Sequence, residues 1–229
     1  MLDRILEEAP RFFTYYNLIF LGGALLTTFL LTAFGCLLGF LFGFLMAVAR
    51  GTTGWLLFPI RALAFLITES FRRIPFLVTL FIVFYAFRGT GISWSIFWVA
   101  LVAVVVIASS FIAEIIRAGL ESVHRNQWDA AAAMNMSTIQ ALRYVILPQA
   151  WKVILPPAFS FFVLFIKDTA LASQIGLVEL TFAGKVLNNR GFSAALVFGT
   201  ILILYFILSY PMTRFGVWLE ARFATSRHR

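Results

Sequence analysis

The sequence predicts an all-α integral membrane protein with about five transmembrane helices, forming one transmembrane domain over residues 1–229. Three observations predict it. Apolar runs recur at lengths that reach or exceed the ~20 residues needed to cross a bilayer. Hydrophobic residues make up 62% of the 229 and charged residues only 12%, against roughly 45–50% and ~25% in soluble domains. The basic residues gather at the ends of the apolar runs, where they anchor to headgroups. A chain with so few charges has too little polar surface to face water, and the run lengths tell against a soluble helical bundle with a large core.

The first run, residues 18–49, exceeds one crossing and is expected to tilt or to start outside the bilayer. Within it Gly35, Gly39 and Gly43 recur every fourth residue, which puts three glycines on one helical face as a seam for a second helix. General glycine tolerance of membrane helices is the plain alternative. The second stretch, residues 55–88, is broken by Glu69-Ser-Phe-Arg-Arg-Ile-Pro75. Adjacent arginines are costly in lipid, and a proline disfavours helix at the residue before it. Residues 55–70 are therefore read as a tilted or interfacial helix and 76–88 as the crossing part, with one or two membrane segments both open. The third span is 92–116. The polar segment 117–148 follows, then spans at 149–166 and 194–213, separated by a mixed loop over 167–193.

Charge then sets orientation and excludes several functions. Five spans put the chain ends on opposite sides. With 117–148 cytoplasmic, twelve basic residues lie inside (50, 61, 72, 73, 117, 125, 143, 152, 214, 222, 227 and 229). Six lie outside (4, 11, 88, 167, 185 and 190). The positive-inside rule thus favours an external N-terminus and a cytoplasmic C-terminus. The net charge of +8 does not signal nucleic-acid binding, because no basic cluster sits on a polar domain. Cys36 is alone within an apolar run, and His124 and His228 are far apart, so no metal site is read. No cleavable leader is read either, and the first span is expected to act as its own insertion signal.

The polar segment carries the functional signal. Gln127–Met134 is alanine-rich and helix-prone, with Asp129 expected in its first turn. Asn135 suits a left-handed turn residue. Ser137 with Gln140 fits a capping box, and Pro148 is expected to end or bend the second helix. A short helix, a sharp turn and a second short helix follow, with alanines that let another protein approach closely. An ordinary loop with capped helices is the alternative on these residues alone.

The segment resembles the EAA loop of ABC-importer permeases: Glu-Ala-Ala, three residues, Gly, nine residues, Ile, one residue, Leu-Pro. Here Asp129-Ala130-Ala131, Asn135, Val145 and Leu147-Pro148 occupy those positions at that spacing, with Asp for Glu, Asn for Gly and Val for Ile. Residues 69–75, 113–119, 146–150 and 167–171 are similar to permeases of the polar amino acid (histidine, glutamate, arginine) type. The resemblance implies a type I ABC-importer permease fold and the permease subunit of a polar amino acid importer. It implies an ATPase docked on the 129–148 segment, a second identical or homologous permease, and a binding protein that delivers the amino acid. ATP and Mg would then belong to the partner ATPase. This chain has no Gly-rich Lys-Ser/Thr phosphate loop, so it is expected to bind no cofactor and catalyse nothing itself.

Two charged groups remain as candidates for the substrate path. Glu114 lies in the third span, either as a functional carboxylate or as the structural partner of Arg117 at i,i+3. Lys167-Asp168-Thr169 offers both charge signs and a hydroxyl to a zwitterion, or acts as a gate or interfacial anchor. An ion-driven transporter would carry more intramembrane ionisable residues and internal repeats. A membrane enzyme would carry a nucleophile–base set or paired carboxylates, and neither is visible.

Overall fold

A computed structural model describes residues 2–51 and 54–224; the tail residues Arg227, His228 and Arg229 lie outside them. The helices are α1 (Leu2–Phe12), α2 (Tyr15–Gly51), α3 (Phe58–Arg73), α4 (Phe76–Gly89), α5 (Ile96–Glu121), α6 (Arg125–Ala133), α7 (Thr138–Ala141), α8 (Leu147–Asp168), α9 (Leu180–Asn189) and α10 (Ala194–Ala224). A π-helical turn over Leu142–Ile146 joins α7 to α8, and a 3₁₀ segment over Thr169–Ile175 extends α8.

Four stretches are long and apolar enough to cross a membrane: α2, α5, residues 138–175 and α10. The bent pair α3–α4 passes the same test only when its two helices are taken together, and counts as a fifth span if it crosses as one broken element. α4 has 14 residues, about 21 Å at 1.5 Å per residue, so alone it falls short of the ~30 Å hydrocarbon core. The break comes where the sequence expects it. Pro75 has no N–H to donate and pushes Ile74 to extended backbone (ψ 132°), and the two helices diverge by 119°.

The central pair is α2 with α5. Gly35, Gly39 and Gly43 all face α5: a Cβ at Gly35 would overlap the Val104 side chain, one at Gly39 the Ala108 methyl, and one at Gly43 would stand 2.8 Å from the Ser109 carbonyl oxygen. The glycines therefore let the two backbones approach closely. Gly119 does the same for α8, where a Cβ would overlap Ile154. Ile112, Ile116, Val123, Ile146, Ala150 and Ile154 form a buried cluster beneath the polar segment.

Two elements were not foreseen. α1 is amphipathic and seats the buried Phe12 against Phe192, ring centroids 5.2 Å apart. Glu8 accepts the Ser193 amide at 2.7 Å and the Arg4 guanidinium at 2.7 Å. These bonds to the charged form, the Ser193 amide first, lower its pKa to about 2. α9 occupies most of the stretch read as a loop between the fourth and fifth spans. Leu180, Ala183 and Leu187 recur at helical spacing and are buried against α2 and α10.

Candidate functional site

α6 and α7 form a helical hairpin at the end of α5. His124 caps α6, its Nδ1 accepting the Asn126 amide at 3.2 Å. The helix thus begins at Arg125, and Asp129 sits in its second turn rather than its first. At the other end Asn135 adopts φ 58°, the only positive φ at a non-glycine among the described residues. The Met136 amide donates to the Ala131 carbonyl at 3.1 Å and the Asn135 amide to that of Ala132 at 2.9 Å. This pair of bonds closes the helix while one residue turns left-handed. Ser137 then starts α7 with a complete capping box: its Oγ accepts the Gln140 amide at 3.3 Å, and its own amide donates to Gln140 Oε1 at 2.9 Å.

Pro148 does not end the second helix. The chain runs on as helix from Thr138 to Ile175. The π-turn widens the helix just ahead of the proline, with the Leu147 amide donating to the Leu142 carbonyl. A wide turn accommodates a ring that would otherwise clash with the preceding turn. Gln149 Nε2 then donates to the Val145 carbonyl at 2.9 Å and to Gln127 Oε1 at 3.1 Å, which ties α6 to the root of α8.

The hairpin has two sides. Asp129, Ala130, Ala132, Ala133 and Met134 are exposed, whereas Ala131 is buried (2% exposed) and packs into this chain. Val145 and Leu147 are half-buried and Pro148 is exposed. The exposed side carries three alanines, Met134 and the Asp129 carboxylate, and its short side chains let another protein approach closely.

Glu114 sits in an ion-pair cluster. It pairs with Arg117 on its own helix, with Arg50 at 3.4 Å and with Arg72 at 3.2 Å. Arg50 also donates to Thr68 Oγ1 at 2.9 Å and lies 3.8 Å from Glu69, and Arg117 pairs with Glu121. The i,i+3 pairing with Arg117 is legible in sequence; the other partners come from α2 and α3.

Lys167, Asp168 and Thr169 have different surroundings. Lys167 is exposed and Asp168 half-buried. Thr169 is fully buried and donates its hydroxyl to the Ile166 carbonyl at 2.7 Å. Sequence reasoning missed Glu179, buried between the fourth and fifth spans. Its carboxylate caps α9 through the Thr181 and Phe182 amides (2.9 and 2.8 Å) and accepts the Tyr205 hydroxyl at 2.8 Å. Burial pushes its pKa up, only partly offset by those donors. A lone carboxylate between apolar residues is its only sequence signal.

The sequence profile described as "Binding-protein-dependent transport system inner membrane component" matches residues 39–225. The chain belongs to that family. Among relatives, the probable glutamine ABC transporter permease protein GlnP of Bacillus subtilis (strain 168) is 30% identical over 210 residues, covering 90% of this chain and 94% of that protein. The L-cystine transport system permease protein TcyB of the same organism is 32% identical over 203 residues, covering 88% and 86%. A solved structure described as "Crystal structure of an amino acid ABC transporter with histidines" matches with a TM-score of 0.80 at 29% identity, covering 90% of this chain and 95% of that one. Membership of this inner-membrane transport family agrees with the helices of spanning length. The family match takes in the whole of α5, the hairpin and α8.

Proposed function

We propose that this chain is the permease subunit of an ATP-driven importer of a polar amino acid, docked on its ATPase through the exposed face of the α6–α7 hairpin. The observation that carries the reading is that face: Asp129, Ala130, Ala132, Ala133 and Met134 project from a helix fixed at both ends by capping bonds. A rigid, capped helix outside the bilayer transmits a push, whereas a floppy loop would absorb it. The names of the relatives, glutamine and cystine permeases, support an amino-acid cargo.

In this reading the hairpin end is cytoplasmic, the N-terminus is external, and ATP and Mg sit on the ATPase. A second permease, identical or homologous, completes the path, and a binding protein delivers the substrate from the α1 end. Of Lys167, Asp168 and Thr169, Asp168 keeps a half-buried carboxylate for an amino group, whereas the Thr169 hydroxyl is already engaged with the backbone. The test is uptake into proteoliposomes holding the complete transporter, with each polar amino acid supplied on its binding protein. ATP-dependent uptake that survives an ionophore supports the proposal. Uptake that needs an ion gradient and no ATP overturns it.

A further inference from the structure

Glu114 does more than partner its neighbour. Its carboxylate lies two turns before the end of α5, the helix that leads through Ser122 and Val123 into the hairpin. Arg117 on the same helix would satisfy it alone. Instead it also holds Arg50 from the end of α2 and Arg72 from α3, at 3.4 and 3.2 Å. The side chain is only 22% exposed, so these pairs are screened less than surface pairs and their geometry is more tightly fixed. Arg50 is further fixed by Thr68 of α3 at 2.9 Å.

α3 is placed to pass movement on. Arg72 lies one residue before the end of α3, and Pro75 then turns the chain by 119° into α4. α4 in turn seats Phe76 against Phe165, ring centroids 5.2 Å apart, on the last turn of α8 before Asp168. The chain of contacts runs from the hairpin, along α5 to Glu114, across to Arg72, through the bend and into the packing beside Asp168.

We infer that Glu114 is the positioning residue that couples the hairpin to α3–α4, so that movement of the docked hairpin reaches the substrate path. The inference rests on the function proposed above. Removing the carboxylate leaves Arg72 and Arg50 with Glu69 and Arg117 with Glu121, but it cuts the ion pair that joins α3 to α5 and leaves a denser positive cluster there.

The experiment uses the complete transporter in proteoliposomes, with ATP hydrolysis and amino-acid uptake measured with and without loaded binding protein. The wild type comes first; if it shows no ATP-driven uptake, the functional reading falls, and this inference with it. In Glu114→Gln the ATP hydrolysed per amino acid imported rises by about five-fold or more, the lower end of typical coupling energies. Hydrolysis also loses its dependence on loaded binding protein, and Glu114→Asp recovers most of it. If Glu114→Gln fails to assemble, Arg72→Gln, which opens the same link from the α3 side, shows the same rise. An unchanged ratio in the assembled variant overturns the inference. So does a proportional fall of uptake and hydrolysis, the mark of a purely structural role.

Discussion

Replacing Gly39 with alanine puts a methyl group where α5 already stands. The new Cβ would overlap the Ala108 methyl and lie 3.3 Å from both the Ala108 carbonyl carbon and the Ser109 nitrogen. Backbone atoms cannot rotate away, so α2 and α5 must separate or shear. Overfilling a packed contact of this kind costs ~1–3 kcal/mol. Alanine also raises helix propensity by up to ~1 kcal/mol, which would blur a comparison with the wild type. Gly22→Ala removes that ambiguity: it lies on the same helix, and a Cβ there meets nothing within 4 Å. The difference between the two variants is therefore the packing cost. At ~2–4 °C per kcal/mol for a chain of this size, Gly39→Ala melts roughly 2–12 °C below Gly22→Ala. Thermal denaturation of the detergent-solubilised protein, followed by loss of the monodisperse gel-filtration peak, reads this directly. A Gly39→Ala melting point at or above that of Gly22→Ala would refute the close approach of α2 and α5.

Other outcomes follow from single contacts. Asn135 has φ 58°, so Asn135→Gly keeps the hairpin turn, while Asn135→Val costs ~1–2 kcal/mol in the left-handed region; protease sensitivity of the hairpin separates the two. Glu8 has its pKa lowered to about 2, so its contribution is present above its unfolded value of 4.5 and is lost as pH falls through about 2. At neutral pH Glu8→Gln therefore loosens α1, read as faster hydrogen exchange over residues 4–12. Glu179 carries the opposite sign. Burial raises its pKa, so its contribution is full below the unfolded value of 4.5 and declines as pH rises through the folded value. The melting point of Glu179→Gln is then flatter than that of the wild type across that rise, and parallel curves would show that Glu179 does not titrate there.

What the sequence made legible is local. The hairpin was readable because its determinants lie within a few residues of one another: Asn135 at the turn, Ser137 with Gln140 at the next cap. The broken second span was readable because Pro75 acts on its immediate neighbours. The partners of Glu114 were half readable, since Arg117 is one turn away while Arg50 is 64 residues distant. Burial of Ala131 was invisible, because which alanine of Ala130–Ala133 faces inward depends on how α6 rolls against the π-turn at Leu142–Ile146. That matters for experiment: Ala131→Arg would force a guanidinium into this chain's own packing rather than onto the exposed face. The passage of the helix through Pro148 was half readable, because a proline either ends or bends a helix and the widened turn that carries it through has no sequence mark. The seat of α9 depends on burial against α2 and α10, which no local pattern encodes.

The proposed function depends on the ATPase docking against the exposed face of α6. Ala132→Arg tests it most directly, because the residue is exposed and a long cation there leaves the fold of this chain alone. The measurement is co-purification of the ATPase subunit with the tagged permease. A permease of unchanged melting point that no longer retains the ATPase is the expected result; retention at the wild-type level would show that this face is not the dock.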